Sequence, residues 1–479
     1  MRRNPVTNDL AETTHVKMTK HHSNLLLAGM MALLANAPAA VPAEKLPNMV
    51  IILADDLGYG DLTCYGHPSI RTPNLDRMAS QGMRFTDFYV AACVCTPSRA
   101  ALLTGRLPIR SGMSGDLQHR VQMKNSPGGL PPEEITIARA LKSKGYATQC
   151  IGKWHLGQYP QNMPTSHGFD AFYGLRWSND MEPVRGIPKD ASRSLNQKLE
   201  WWNCALVRND QIIEQPTDLS TLTRRYTEEA IHFIQQNRKK PFFLYFAHTY
   251  PHIPLFASKA FQKTSPRGLY GDVVEELDWS VGQVLDTLRK QGLADNTLVF
   301  FTSDNGPWVV KDLAGGSAGP LRDGKGSTWE GGMREPGIAW WPGKIKSGVI
   351  NRELACSMDL FTTCLTLGKV PIPSDRIIDG VDMTPMLLGK GPGQRNLMIY
   401  YNGDEVYAVR KGPYKAHFIT YSGYSKEPPQ KHDPPLLFDL PNDPGERFDL
   451  GAEHPEVIAD IQRELEQYRA ALVPGKRQY

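Results

Sequence analysis

Several things are scarce in this chain, and each scarcity removes a class of protein. No Asn-x-Ser/Thr sequon occurs anywhere in the 479 residues, so N-linked glycan has no acceptor. Seven cysteines (Cys64, Cys93, Cys95, Cys150, Cys204, Cys356 and Cys364) are too few and too scattered for a dense disulfide framework, although pairing after export stays open. A net charge of only +4 gives no general affinity for nucleic acid or a membrane surface. There is no internal repeat and no low-complexity linker. The glycine-rich basic stretch from Leu321 to Pro336 does not complete the G-x-x-x-x-G-K-[ST] pattern of a nucleotide phosphate loop. The apolar run from Leu25 to Ala35 is too short to span a membrane comfortably. It follows Met18-Thr19-Lys20-His21-His22 and leads into Ala37-Pro38-Ala39-Ala40, the layout of a secretory signal peptide. Residues 1–17 read as an extension ahead of a start at Met18. Residues 1–40 are therefore expected to be extension and signal, and the mature chain to begin near Val41 with no stable membrane insertion after cleavage.

What is present is an enzyme-sized globular chain, with 41% hydrophobic and 22% charged residues. Asn48 to Ala54 is a continuous apolar run ending in Asp55-Asp56, and Thr297 to Ser303 is a second one ending in Asp304-Asn305-Gly306. Both read as buried parallel strands that deliver polar side chains at their C-terminal ends, where open α/β sheets hold ligands. Adjacent carboxylates repel unless a cation lies between them. Asp55, Asp56, Asp304 and Asn305 offer hard oxygen donors, which suit Ca²⁺ or Mg²⁺ better than zinc.

More units of the same kind lie between. A helix near 135–144 precedes a short strand over 147–151 and the string Gly152-Lys153-Trp154-His155-Leu156-Gly157. In an extended segment, Lys153 and His155 would point to one face. Helix 225–238 precedes the strand Pro241 to Ala247, which ends at His248, and Thr249-Tyr250-Pro251-His252 turns away from it. A long amphipathic helix covers 270–292. After about residue 385 short strands near 397–401, 405–410, 414–421 and 434–440 and a helix over 456–473 predict a smaller antiparallel sheet with a helix. The fold class is thus α/β, a large mixed and mostly parallel sheet between helices over 41–385, with an α+β unit over 386–479.

The remaining stretch organises the others. Cys95-Thr96-Pro97-Ser98-Arg99 runs into Ala100-Ala101-Leu102-Leu103, and the proline suits a first helical turn, placing Cys95 just before a helix N-terminus. Free N–H groups and the helix dipole favour negative charge there. The full string through Arg106 reads C-x-P-S-R-x-x-x-L-T-G-R and resembles the signature of the type I sulfatases, members of the alkaline phosphatase-like superfamily. Two further strings are similar to motifs of that family: G-K-W-H-L-G at 152–157 and G-K-x-[ST]-x-x-E-G-G-x-R-E-P from Gly324 to Pro336. The likeness covers roughly residues 46 to 475. It looks closest to the arylsulfatase A and N-acetylgalactosamine-6-sulfatase branch, through Gly128-Gly129-Leu130-Pro131, Lys415-Ala416-His417-Phe418 and Asp443-Pro444-Gly445-Glu446. It departs from the latter at Ser114, where that enzyme has a tyrosine beside the substrate.

The resemblance implies hydrolysis of sulfate monoesters at Cys95 after a maturation enzyme converts it to formylglycine. A hydrated aldehyde gives a sulfated intermediate that can expel sulfate by breaking its own C–O bond, which splits one hard step into two. The resemblance also implies that Asp55, Asp56, Asp304, Asn305 and position 95 hold calcium, with magnesium second. It implies that Arg99, Lys153, His155, His248 and Lys325 serve the chemistry, and that Lys153, Ser178, His248 and Lys325 contact substrate. His252 is balanced between a structural and a functional reading. The missing sequons point to the bacterial periplasm or secretion rather than the lysosome. A phosphodiesterase or phosphonate hydrolase of the same superfamily, and a silent carbohydrate-binding relative, are the other readings.

Overall fold

The computed structural model describes residues 45–479; the expected extension, signal peptide and mature start lie outside the described residues. Residues 46–479 form one compact unit. Eleven strands make its large sheet: β1 (Asn48–Ala54), β2 (Met83–Tyr89), β3 (Ala147–Lys153), β4 (Ala171–Leu175), β5 (Leu206–Arg208), β6 (Gln211–Glu214), β7 (Phe242–Ala247), β8 (Thr297–Ser303), β9 (Arg334–Trp340), β10 (Val349–Asn351) and β11 (Ala355–Cys356). They run in the order β10-β2-β9-β8-β1-β7-β3-β4-β5-β6, with β11 also paired to β2. The centre, β8-β1-β7-β3-β4, is parallel, and β9 and β5 enter antiparallel on either side.

The apolar runs are continuous because both faces of this sheet are covered. Along β1, Val50, Ile52 and Ala54 pack on one side, with Tyr226, Ala230, Val274 and Leu277 of helices Leu222–Gln236 and Leu269–Lys290. Met49, Ile51 and Leu53 pack on the other, with Ala100, Leu102 and Leu103 of helix Cys95–Thr104 and Ile137 and Leu141 of helix Ile137–Lys142. Strand alternation thus fixes which helix layer each side chain meets.

The second sheet is antiparallel, β12 (Leu397–Asn402), β13 (Glu405–Lys411), β14 (Tyr414–Thr420) and β15 (Gln430–Asp439), with helix Pro455–Ala470 against it. Ile458, Ile461 and Leu465 of that helix join Met398, Tyr400 and Ala416 in a separate apolar cluster. No helix among the described residues is long and apolar enough to cross a membrane.

Candidate active site

The two central strands bring the acids together. The register pairs Ala54 of β1 with Ser303 of β8, so Asp55 and Asp304 leave the same edge side by side. Asp304 N–H donates to Ala54 O at 3.1 Å, and Asp56 N–H donates to Asp304 Oδ1 at 3.2 Å. Asp56 turns back with φ +64°, a conformation Asp tolerates better than most residues, and so aims its carboxylate at the loop bearing Lys325.

Helix Cys95–Thr104 closes the group from one face. Cys95 is its first residue, with Val94 as the extended N-cap, one position further in than the sequence suggested. One turn on, Arg99 is fully buried. Its Nε donates to Asp304 Oδ2 at 2.8 Å, its Nη1 to Lys153 O at 2.8 Å, and its Nη2 lies 3.6 Å from Asp55 Oδ1. Lys153 Nζ sits 2.6 Å from Asp55 Oδ2. Lys325 Nζ lies 2.7 Å from both Asp56 oxygens and 4.3 Å from the centre of the Trp308 ring. Asn305 Nδ2 donates to Asp56 Oδ1 at 2.8 Å.

These groups are paired but not satisfied. Asp55 Oδ1 and Asn305 Oδ1 are buried with no hydrogen-bond partner among the described residues. Burial pushes Asp55 up to about 7 and raises Asp56 as well, against the pull of Lys153 and Lys325 respectively. Asp304 is also penalised by burial, yet Arg99, Lys153 and Lys325 hold it below the usual carboxylate range. Ligand atoms of Asp55, Asp56, Cys95 and His252 lie within 4.8 Å of one another. Buried carboxylates with oxygens left over fit a cation, since such groups are otherwise costly to keep out of water. Burial also pushes the Cys95 thiol up to about 12, so the unmodified side chain would be a poor nucleophile near neutrality.

Position His155 does not follow the expected alternation. The strand stops at Lys153, and His155 has φ +59°. Its ring is placed by a backbone contact instead, with Nε2 2.9 Å from the carbonyl of Gln122. A carbonyl only accepts, so Nε2 carries the hydrogen and Nδ1 is a bare lone pair, without a partner among the described residues. Burial first, then Lys153 and Arg99, keeps this imidazole well below its ordinary pKa and neutral.

His248 is a correction. It continues the face of β7 that carries Leu244 and Phe246, with its ring 4.2 Å from that of Phe246 and Nε2 3.5 Å from Ser280 Oγ on the long helix. Burial alone lowers it to about 3. Strand periodicity therefore turns it into the core, away from the charged group. His252 lies beside the charged group: Nε2 is 3.6 Å from Asp56 Oδ2, the ring centre is 5.5 Å from that of Trp308, and the ring lies 3.2 Å from Ser178 Oγ. Ser178 thus joins the site through His252. The signal for His252 was the bracket Pro251-His252-Ile253-Pro254, which fixes a turn just past the strand end.

The fold defines a class before any relative is considered, an α/β protein with a buried cluster of acids at the carboxyl edge of a parallel sheet. The family model described as Sulfatase matches residues 47–370, and that of the C-terminal region of aryl-sulfatase matches residues 393–479. The N-acetylgalactosamine-6-sulfatase of Canis lupus familiaris is 41% identical over 94% of this chain and 91% of its own length. Arylsulfatase A of Homo sapiens is 43% identical over 92% and 91%. Among solved structures, the PsFucS1 sulfatase from Pseudoalteromonas sp. superposes with a TM-score of 0.77 at 29% identity, covering 93% of each chain. The chain belongs to the sulfatase family of sulfuric ester hydrolases, and its fold is alkaline phosphatase-like.

Proposed function

We propose that this enzyme hydrolyses sulfate monoesters of an aryl alcohol or a sugar to the alcohol and inorganic sulfate, with Cys95 converted to formylglycine and calcium as the metal. The reading is carried by one observation: ligand atoms of Asp55, Asp56, Cys95 and His252 lie within 4.8 Å of one another, with Asp304 and Asn305 bonded to Asp56 and with Arg99, Lys153 and Lys325 paired to the acids. Asp55, Asp56, Asp304, Asn305 and position 95 would hold the ion. When present, the modified side chain supplies an oxygen nucleophile that can later release sulfate, and calcium neutralises charge on the ester.

The chain's own residues supply the rest. Lys153 and Lys325 present positive groups to the sulfuryl oxygens, the His252 ring, held by Ser178, lines the same place, and Arg99 orients position 95. Because these groups are buried and fixed by partners, their electrostatic contribution is the largest available. Lys325 gives a proton to the leaving oxygen. Nδ1 of His155, kept neutral and unprotonated, takes the proton from side chain 95 as sulfate is eliminated. Export to a periplasm or to the outside, and maturation by a formylglycine-generating enzyme, belong to the same reading, as does a division into a catalytic part over 41–385 and a smaller part over 386–479.

The test is the mass of the tryptic peptide Phe85 to Arg99 beside rates on paired aryl sulfate and aryl phosphate esters. An aldehyde at Cys95, activity proportional to the modified fraction, and preference for sulfate are expected. A thiol under conditions that convert a control sulfatase would sink the reading, and preference for phosphate would move it to phosphoryl chemistry. His155→Ala is expected to accumulate sulfated enzyme.

A further inference from the structure

A segment that no motif marks reaches the site from the far end of the sequence. Residues 475–479 lie along the loop 109–128 that borders Cys95. Gly475 N–H donates to Ile109 O at 2.8 Å, Gln478 N–H to Gly112 O at 3.1 Å, and Tyr479 Oη to Met113 O at 2.8 Å, while Arg477 pairs with Asp116. The fit has no slack. A Cβ at Gly112 would lie 1.8 Å from Lys476 O, and one at Gly128 would lie 2.6 Å from Gln478 O.

Two hydrogen bonds connect this segment to His155. Gln478 O accepts from Gln122 Nε2 at 2.7 Å, and Gln122 is fully buried. The carbonyl of Gln122 is the acceptor for His155 Nε2, and its N–H donates to Thr96 Oγ1 at 3.0 Å, next to Cys95. Nothing else among the hydrogen bonds of the described residues engages the Gln122 side chain. Tyr479 is half-buried beside the same loop, and Cys95 is among the ionisable groups that its phenol feels.

We propose that residues 475–479 are a positioning strap of the active site, holding Gln122 so that its carbonyl sets the orientation and tautomer of His155. The strap acts through Gln122 and touches no reacting atom, so its residues are positioning residues. The inference rests on the proposed role of His155 as a base, because only then does its tautomer matter to the rate.

Two variants test it on the full chain. Gln122→Met keeps length and loses the donor to Gln478, and Gly128→Ala drives a Cβ into Gln478 O without touching Gln122. Each is compared with wild type per molecule of modified Cys95, which is measured by peptide mass. Both are expected to lower kcat by roughly 10²-fold with KM within about twofold, the pattern of misplaced catalytic geometry. Carbethoxylation of His155 by diethyl pyrocarbonate, read by mass, is expected to be blocked in wild type and to proceed in both variants. Wild-type kcat with His155 still protected overturns the strap. A rise in KM alone also overturns it, by assigning the segment to substrate binding. A wild type that cleaves no sulfate ester defeats the functional reading, while the protection of His155 still decides whether the strap holds the ring.

Discussion

Two clusters of buried charge among the described residues are built differently. At the edge of the large sheet, Asp55, Asp56, Asp304 and Asn305 face Arg99, Lys153 and Lys325. Against the small sheet, Glu330 and Glu446 face Lys415 and His417, and Glu330 also meets Arg334. In the second cluster every carboxylate oxygen has a partner. Glu330 accepts from Tyr89 Oη at 2.5 Å and from Lys415 Nζ at 2.9 Å. Glu446 takes His417 Nε2 at 2.7 Å on one oxygen and the Glu330 N–H at 2.7 Å on the other. In the first cluster buried oxygens are left over. A filled cluster fixes the glycine-rich loop to the small sheet, whereas an unfilled one is shaped for something that arrives.

Breaking each cluster should therefore have different consequences. The largest effect is expected from Asp304→Ala, on the order of a 10³-fold loss of kcat/KM on an aryl sulfate, as for removal of a main electrostatic element. Chelation should imitate it and added calcium reverse it. Lys415→Met leaves two buried carboxylates without their ammonium, and is expected to cost about 3–5 kcal/mol in urea unfolding while the folded fraction keeps its rate within a few-fold. The two histidines should separate in the same way. His252→Ala is expected to lower kcat by about 10²-fold, whereas His248→Ala should leave the rate of folded enzyme near wild type and lower stability by about 1–3 kcal/mol. A rate collapse in His248→Ala with an active His252→Ala would reverse their assignment.

The smallest effect is on pH dependence. Burial works against charge on Glu330, but Lys415, then Arg334 and Arg410, hold its carboxyl down to about 2. A depressed pKa gives stability that is present above the ordinary carboxyl range, near 4.3, and that drains away as pH falls toward the folded value. Urea midpoints between about pH 4 and 2 should fall less steeply in Glu330→Gln than in wild type. Equal slopes would mean that the cluster does not hold its charge.

How far the sequence foretold this architecture differs by region for physical reasons. β1 and β8 were legible because a strand buried on both faces must be apolar at every position, and the acids at their ends stood out against those runs. Helix Cys95–Thr104 was legible from Pro97 and the alanine-leucine run, and the small sheet from its turn-punctuated strands. His248 was misread because alternation along β7 continues one residue past the strand's last assigned position and sends that ring inward. The stretch from Leu321 to Pro336 reads as loop, yet Glu330–Met333 is a helical turn and β9 starts at Arg334, since buried ion pairs supply order that glycine propensity does not foretell. The role of residues 475–479 leaves no pattern at all, because it works through backbone carbonyls, which every residue possesses.

The adjacency of β1 and β8 has a consequence in time. Asp55 and Asp304 are extensions of neighbouring strands at the middle of a sheet covered on both sides, with seven residues of β1 in register with β8. The two carboxylates cannot draw apart unless that ladder is broken, and central ladders open only with the whole domain. Amides of Ile51 to Leu53 and Val299 to Phe301 belong with the slowest hydrogen exchange in the protein, and the gap between the acids is as long-lived as the native state.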